Sequence, residues 1–318
     1  MKKVTVSAPA KLHLSGEHAV VYGNPAVLVS TSKRLYVTLA QDGFSQSTLL
    51  SECISTDPYL GHIVKTFETH MALSVSKDIH IAVVSDIPVR AGMGSSAAFA
   101  IACVGALMAF HDKEWQVQKI NELAFLAEGF IHTNSSGGDT AIVTHGGLLW
   151  YRKELEYLKT FWLLSYKVPK SFPPMVLIHT GRTESTGDLV SLVKKKKETK
   201  PKEFIQTLWE FQLVTKDMVA SIHDENEPLF IEAVKKNEML LEKLGVVSVS
   251  TKKLIREIET LGGVAKISGA GGIMTGSGTV LAVHKDPKVI EKLAQKYAYP
   301  FSQVVLSGVG VRLEQAVA

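Results

Sequence analysis

Gly92-Met93-Gly94-Ser95-Ser96, running directly into Ala97-Ala98-Phe99-Ala100-Ile101-Ala102-Cys103-Val104-Gly105-Ala106-Leu107-Met108-Ala109-Phe110, is the stretch on which the fold turns. Two glycines flanking one residue let the chain bend tightly and approach another group closely. The run from Ala97 to Phe110 is small and apolar on every side, so it reads as a helix buried all round. It is too short to cross a bilayer. In the plainest reading, serines at the start of such a helix are its N-cap. A helix N-terminus also presents unpaired N–H groups and a partial positive charge, which suit a phosphate. A serine hydroxyl there can reach Mg2+, which prefers oxygen ligands. Taken alone, the loop leaves both readings open. Neither a Gly-x-Gly-x-x-Gly fingerprint nor a Walker-type Gly-Lys-Ser/Thr accompanies it.

Upstream, Lys3–Ala8, Arg34–Ala40 and Ile79–Ser85 are rich in β-branched residues and predict strands. The last of these ends at Asp86-Ile87-Pro88, because proline cannot continue a ladder. Downstream, Glu114–Ile131 predicts a helix, with Ile120, Leu123, Ala124, Ala127 and Ile131 at helical spacing. Thr133–Asp139 reads as a polar, glycine-bearing loop, and Ala141–Tyr151 as a hairpin around His145-Gly146-Gly147. Between Lys167 and Pro174, three prolines and two lysines separate apolar segments. This is the best candidate for a domain boundary, giving domains 1–170 and 171–318. A strand at Met175–His179 follows, then several helices between Ser185 and Leu261. A strand at Val264–Ile267 enters a second glycine cluster, Gly269-Ala270-Gly271-Gly272. Another strand (Thr279–His284), a helix (Lys288–Tyr297) and short strands to Leu313 complete the pattern. Strands mixed irregularly with helices predict α+β architecture rather than βαβ alternation.

The length of 318 residues predicts two domains, and 46% apolar residues supply a real core. The net charge of +4 suits an enzyme that meets anionic nucleotides. It is too small and scattered to argue for nucleic acid. The basic run Lys194–Lys197, with Lys200 and Lys202, reads as a solvated helix end or loop, the alternative being attraction of a phosphorylated ligand. The two cysteines, Cys53 and Cys103, form neither a disulfide framework nor a metal-ligand pattern. The first ten residues lack the apolar centre of a signal peptide, and Lys11 interrupts them. The expectation is a cytoplasmic protein that is neither secreted nor embedded in a membrane.

Three further groups could carry chemistry. Pro9 to Ala26 places Lys11, Glu17 and His18 in an otherwise apolar, glycine-punctuated stretch. Burying charges is costly unless they are paired or used, so a structural salt bridge and a hydrogen-bonded core histidine stand beside any functional role. Glu128 lies at the flank of an apolar helical stripe. Asp139 follows Ser135-Ser136-Gly137-Gly138 and could be an ordinary capping aspartate. Carboxylates so placed could equally hold Mg2+ or accept a proton from a hydroxyl.

These motifs, in this order, resemble those of the galacto-, homoserine, mevalonate and phosphomevalonate (GHMP) kinase superfamily. That superfamily's Pro-x-x-x-Gly-Leu-Gly-Ser-Ser-Ala corresponds to Pro88 through Ala97. Its Lys-x-Thr/Ser-Gly-Ala-Gly-Gly corresponds to Lys266 through Gly272. Within the superfamily, Gly16-Glu17-His18-Ala19-Val20-Val21-Tyr22-Gly23 is most similar to the mevalonate kinases. Asn237–Val246 and Thr180–Thr186 resemble their C-terminal domain. The resemblance implies a ribosomal-S5-domain-2-like N-terminal domain and a ferredoxin-like C-terminal domain with the active site between them. It implies transfer of the γ-phosphoryl of ATP to (R)-mevalonate, giving 5-phosphomevalonate for isoprenoid synthesis.

By position, it makes Asp139 the base and Lys11 the group that stabilises transition-state charge. Ser96 and Glu128 would hold Mg2+. Pro88, Ala91, Gly92, Met93, Gly94, Ser95, Ser96 and Ala97 would bind ATP, and Gly269, Ala270 and Gly271 would face the transferred phosphoryl. Glu17, His18 and Thr186 would shape the alcohol pocket. Many members are dimers, so a homodimer is among the expected forms. Kinases of other small alcohols, such as phosphomevalonate or a sugar, share the motifs. A non-catalytic nucleotide sensor is disfavoured by the joint presence of Lys11, Glu128 and Asp139. Ala10 and Met93 stand where that family often has glycine and leucine, and the Met93 exchange conserves volume. After Gly272 the family usually continues with glycine, whereas this chain has Ile273-Met274. A branched residue cannot readily take positive φ, so the far end of that loop is expected to differ in shape.

Overall fold

The computed structural model describes residues 2–88, 91–131, 137–155 and 158–317. The first part contains β1 (Lys3–Ser15), a 3-10 turn (Ala19–Tyr22), β2 (Pro25–Ala40), β3 (Thr48–Leu49), α1 (Leu50–Thr56) and α2 (Pro58–Met71). It continues through β4 (His80–Ser85), α3 (Ser95–Phe110), α4 (Val117–Glu128), α5 (Gly138–His145), β5 (Leu148–Lys153) and β6 (Lys159–Leu164). The second part holds β7 (Met175–His179), α6 (Thr186–Thr199), α7 (Pro201–His223), α8 (Glu227–Leu244) and α9 (Val249–Thr260). It ends with β8 (Val264–Ser268), β9 (Thr279–Val283), α10 (Pro287–Lys296), β10 (Phe301–Val304) and β11 (Arg312–Val317).

Two antiparallel sheets organise these elements. A seven-stranded sheet has the order β11-β1-β2-β4-β3, with β5 pairing both β2 and β6. A four-stranded sheet has the order β10-β7-β9-β8. β1 explains why the larger sheet forms: Val4, Val6, Ala8, Ala10, Leu12 and Leu14 alternate along it and are all buried, the period-2 pattern of a strand. α3 packs on β1 and β2, and its apolar surface is enclosed on almost every side. A side chain at Gly105 would stand 3.0 Å from Val6 and 3.2 Å from Trp115, so glycine there lets α3 lie close to the sheet.

Several expectations are corrected. Ala141–Tyr151 is not a hairpin. Residues up to His145 belong to α5, whose buried Ala141, Ile142 and Val143 face the core, and only β5 follows. Gly146 and Gly147 both take positive φ, so a sharp helix exit carries the same glycine signal as a β-turn. β1 and β2 extend well beyond the predicted strands. Pro9 and the polar residues Lys11 and His13 mask the strand pattern of Pro9–Ser15, although that segment pairs with β2. Residues 132–136, most of the predicted polar loop, lie outside the described residues, as do Val89 and Arg90. The final strand was expected among the C-terminal elements, yet β11 returns to pair with β1. No helix among the described residues is long and apolar enough to cross a membrane.

Candidate active site

The two glycine loops meet over β1. Gly92 and Gly94 take φ of 76° and 72°, values glycine reaches without steric cost. Gly94 caps α3 and leans on the stem of Lys11, where an added Cβ would fall 2.8 Å from the lysine Cγ. The Lys11 N–H donates to the Met93 carbonyl at 3.0 Å. A Cβ on Gly92 would stand 3.4 Å from the Ser268 carbonyl, and one on Gly269 would stand 3.5 Å from the Gly92 carbonyl. Thr279 Oγ1 donates to the Ala91 carbonyl at 2.7 Å. The third motif thus closes directly on the second. Met93, in place of leucine, is fully enclosed.

Lys11 Nζ lies 3.0 Å from Asp139 Oδ2. The lysine is buried, whereas the aspartate side chain keeps 36% of its surface, so the pair is open on the aspartate side only. Asp139 occupies the first turn of α5, where the helix dipole favours a negative charge. Lys11 Nζ also stands 3.2 Å from His13 Nδ1. Ser96 Oγ donates to Glu128 Oε1 at 3.4 Å, and Glu128 is buried. Two oxygens side by side fit Mg2+, which is commonly held by one or two carboxylates while substrate phosphates supply other ligands. The Tyr59 hydroxyl donates to the Ser96 carbonyl at 3.4 Å. Burial, followed by the nearby Glu128 charge, raises the Tyr59 hydroxyl well above its usual range and keeps it a neutral donor.

Glu17 and His18 point away from open space. Glu17 forms a fully buried ion pair with Lys266 and accepts from Asn237 Nδ2 at 3.1 Å. Ser15 Oγ donates to Asn237 Oδ1 at 2.8 Å and lies 2.7 Å from Thr215 Oγ1. Glu238 Oε2 accepts from the Ile267 N–H at 2.8 Å. Burial pushes the Glu238 carboxyl up to about 8, although that hydrogen bond and the Lys266 charge pull the other way. His18 Nε2 lies 2.8 Å from the Ala270 carbonyl and donates to it. Burial lowers the His18 pKa and keeps the ring neutral. His18 also stands at φ 56°, sparsely populated for a non-glycine residue. Glu17 and His18 thus brace the first motif against the third. Sequence reasoning named Lys266, Asn237 and Glu238 without giving them this role. The available signal was two polar residues on the α8 stripe with Val234 and Leu241, a buried face.

Thr186 begins α6 and is exposed, 3.5 Å from Arg182 Nη2. Among the described contacts nothing brings it to Lys11 or Asp139. Arg182 lies against Gly272, where an added Cβ would meet its Cγ at 3.2 Å. The Ile273-Met274 departure is accommodated without positive φ at Ile273. The Ile273 and Met274 N–H groups donate to Glu184 Oε1 at 2.8 and 2.7 Å. Partial burial opposes the charged form of Glu184, but these backbone donors outweigh it and hold the carboxyl down at about 2. A lowered folded-state pKa stabilises the fold above the ordinary carboxylate value of about 4.3, and the contribution is lost as pH falls toward about 2. Glu184→Gln is accordingly expected to be less stable than the parent at pH 7 and nearly equal to it at pH 2.5. Melting temperatures across that range check the convergence, and a pH-independent gap would contradict it.

Comparison with known proteins bears on the family and the fold. The model of the GHMP kinases N terminal domain matches residues 58–147. The mevalonate kinase of Pyrococcus abyssi is 32% identical, covering 85% of this chain and 86% of that protein. The mevalonate kinase of Thermococcus gammatolerans is 30% identical over 99% of each chain. Among solved structures, L. major mevalonate kinase in complex with R-mevalonate superposes with a TM-score of 0.79 at 20% identity, covering 95% of both chains. Methanococcus jannaschii mevalonate kinase gives 0.79 at 21% identity, covering 96% of this chain and 98% of its own. At such identities the structural matches speak to fold alone, and the fold is the two-domain GHMP kinase arrangement.

Proposed function

We propose that this chain, which belongs to the mevalonate kinase family, transfers the γ-phosphoryl of ATP to the primary hydroxyl of (R)-mevalonate, yielding ADP and 5-phosphomevalonate. The observation that carries the reading is the Lys11–Asp139 pair, 3.0 Å apart and set beside the N-terminus of α3. The hydroxyl oxygen attacks the γ-phosphorus, the bond to the β–γ bridging oxygen breaks, and the hydroxyl proton passes to the Asp139 carboxylate. The Lys11 ammonium stabilises charge on the attacking oxygen and on the phosphoryl in transit. Phosphoryl transfer needs this positioning and charge stabilisation more than covalent catalysis.

The Gly92–Ser96 loop and first turn of α3 bind the phosphates, flanked by Pro88, Ala91 and Ala97, while Gly269–Gly271 close from the facing loop. Ser96 and Glu128 would hold Mg2+, which neutralises charge on the β- and γ-phosphates when bound. Glu17 and His18 shape the alcohol pocket from behind, whereas Thr186, exposed at the start of α6 and 3.5 Å from Arg182 Nη2, is left without a supported part in it. Residues 1–170 form the ATP-binding domain and residues 171–318 the second domain, apart from β11, which the second lends to the first sheet.

A coupled ADP-release assay over a panel of alcohols tests the reaction. Mevalonate is expected to give by far the highest kcat/KM. Turnover with phosphomevalonate or galactose in its place would replace the acceptor assignment. ATP binding without ADP release on any alcohol would leave a nucleotide sensor.

A further inference from the structure

We infer that His13 is a positioning residue that holds the Lys11 ammonium in line for phosphoryl transfer. The inference rests on the roles proposed for Lys11 and Asp139. Lys11 and His13 alternate to the same face of β1, on a stretch where the register with β2 runs without interruption from Lys11 to His13. The lysine Nζ stands 3.0 Å from Asp139 Oδ2 and 3.2 Å from His13 Nδ1. An ammonium is a donor only. His13 Nδ1 must therefore present its lone pair, and the neutral ring carries its proton on Nε2.

The backbone of His13 is fixed by the other half of the molecule. Its N–H donates to Ser268 Oγ at 2.9 Å, and its carbonyl accepts from Lys266 Nζ at 3.0 Å. Ser268 directly precedes Gly269 in the facing glycine loop. Closure of the third motif therefore sets where the imidazole stands, and the imidazole sets where the ammonium stands. A lysine stem has four rotatable carbons, and ordering it costs rotamer entropy that fixed partners must offset. With Asp139 as sole partner, only one direction of the ammonium would be fixed, leaving its other donors free to turn about that contact. A second, neutral acceptor divides its donors and holds it between the two.

The surroundings keep the ring neutral. Lys11 stands on the same strand, Lys266 on β8 with Glu17 as its counter-ion, His18 beyond the strand end, and Asp139 on the far side of Lys11. Burial first, then the Lys11 and Lys266 charges, lower the His13 pKa well below its usual value.

His13→Leu keeps an apolar side chain and removes the acceptor. His13→Asn restores an acceptor one bond beyond Cγ, where Nδ1 stood. We expect His13→Leu to lower kcat roughly 10- to 100-fold with the KM for ATP within about twofold, and His13→Asn to recover most of it. If His13→Leu does not fold, His13→Ala carries the same comparison. Unchanged kcat in the acceptor-less variant overturns the inference, as do equal losses in Leu and Asn variants with only the melting temperature moving. Lys11→Met separates the two levels. If it turns over like the parent, the reading of the site falls and takes the inference with it. If it is inactive while His13→Leu is not, only the inference falls.

Discussion

Asp139→Asn is expected to bind ATP almost as the parent does and to turn over about 10²- to 10⁴-fold more slowly, the usual contribution of a positioned proton acceptor. The expected loss corresponds to about 3–5 kcal/mol of barrier. That is larger than the salt bridge itself can explain, because the aspartate side chain is 36% exposed and such partly solvated pairs contribute about 1 kcal/mol or less. The size of the effect therefore separates a base from a strut. Asparagine keeps the shape of the side chain, and no side-chain cap of α5 depends on residue 139. Lys11 keeps His13 as a partner, and the two glycine loops are untouched. ATP affinity by calorimetry and melting temperature should therefore change little. A coupled ADP-release assay at saturating ATP and mevalonate gives the turnover. A rate within tenfold of the parent, in a folded protein that binds ATP, would remove Asp139 from the role of base.

The parts of this molecule legible in its sequence are those governed by neighbours along the chain. The α3 helix announced itself because no face of it is polar, and the loop before it because two glycines adopt backbone angles that suit glycine. Met175–His179 was legible to its ends. Errors arose where local cues served two structures. The apolar residues before Gly146 fit a strand or a short buried helix, and only packing against α3, α4, β1 and β2 selects the helix. Pro9–Ser15 carries the alternation of a strand, Ala10, Leu12 and Leu14 against Lys11, His13 and Ser15, but its proline and polar residues fit a motif-bearing loop equally well. Those polar side chains make the site and the joint to the second sheet.

Pairings across long sequence separations were not legible at all. Nothing near Lys11 points to Asp139, and nothing near Glu17 points to Lys266. The juxtaposition of the first two was expected through family resemblance alone. The structure brings them within hydrogen-bond distance, and it supplies His13 as a third member. β11 illustrates the same limit. Its six residues are all exposed on the sheet edge, so no burial pattern could tell that they return to β1.

Lys266→Met should produce the largest stability loss of any single change at the joint between the two sheets. Lys266 has no exposed surface, and its ammonium is shared by the Glu17 carboxylate, the His13 carbonyl and the Ile267 carbonyl at 2.7 Å. Removing the cation strands the Glu17 carboxylate in the interior with Asn237 as its remaining donor. Breaking a buried pair in this way costs about 3–5 kcal/mol, even though replacing both partners together is often nearly neutral. Lys266→Met combined with Glu17→Gln should therefore recover much of the loss, and the double-mutant cycle should show coupling above about 1 kcal/mol. The direction with pH follows from the charge that remains. Protonation relieves a stranded carboxylate, so the deficit of Lys266→Met should be larger at pH 8 than at pH 5. Glu238 acts in the same sense. Its carboxyl is already pushed up to about 8, so its contribution to stability is full below the unfolded value of about 4.3 and is lost as pH rises through 8. Loss of the Lys266 charge pushes it further up. Urea midpoints at the two pH values read both effects. A loss below about 1 kcal/mol, or a deficit that grows toward acid, would mean that water reaches Glu17 in the folded protein and that the joint is held by packing alone.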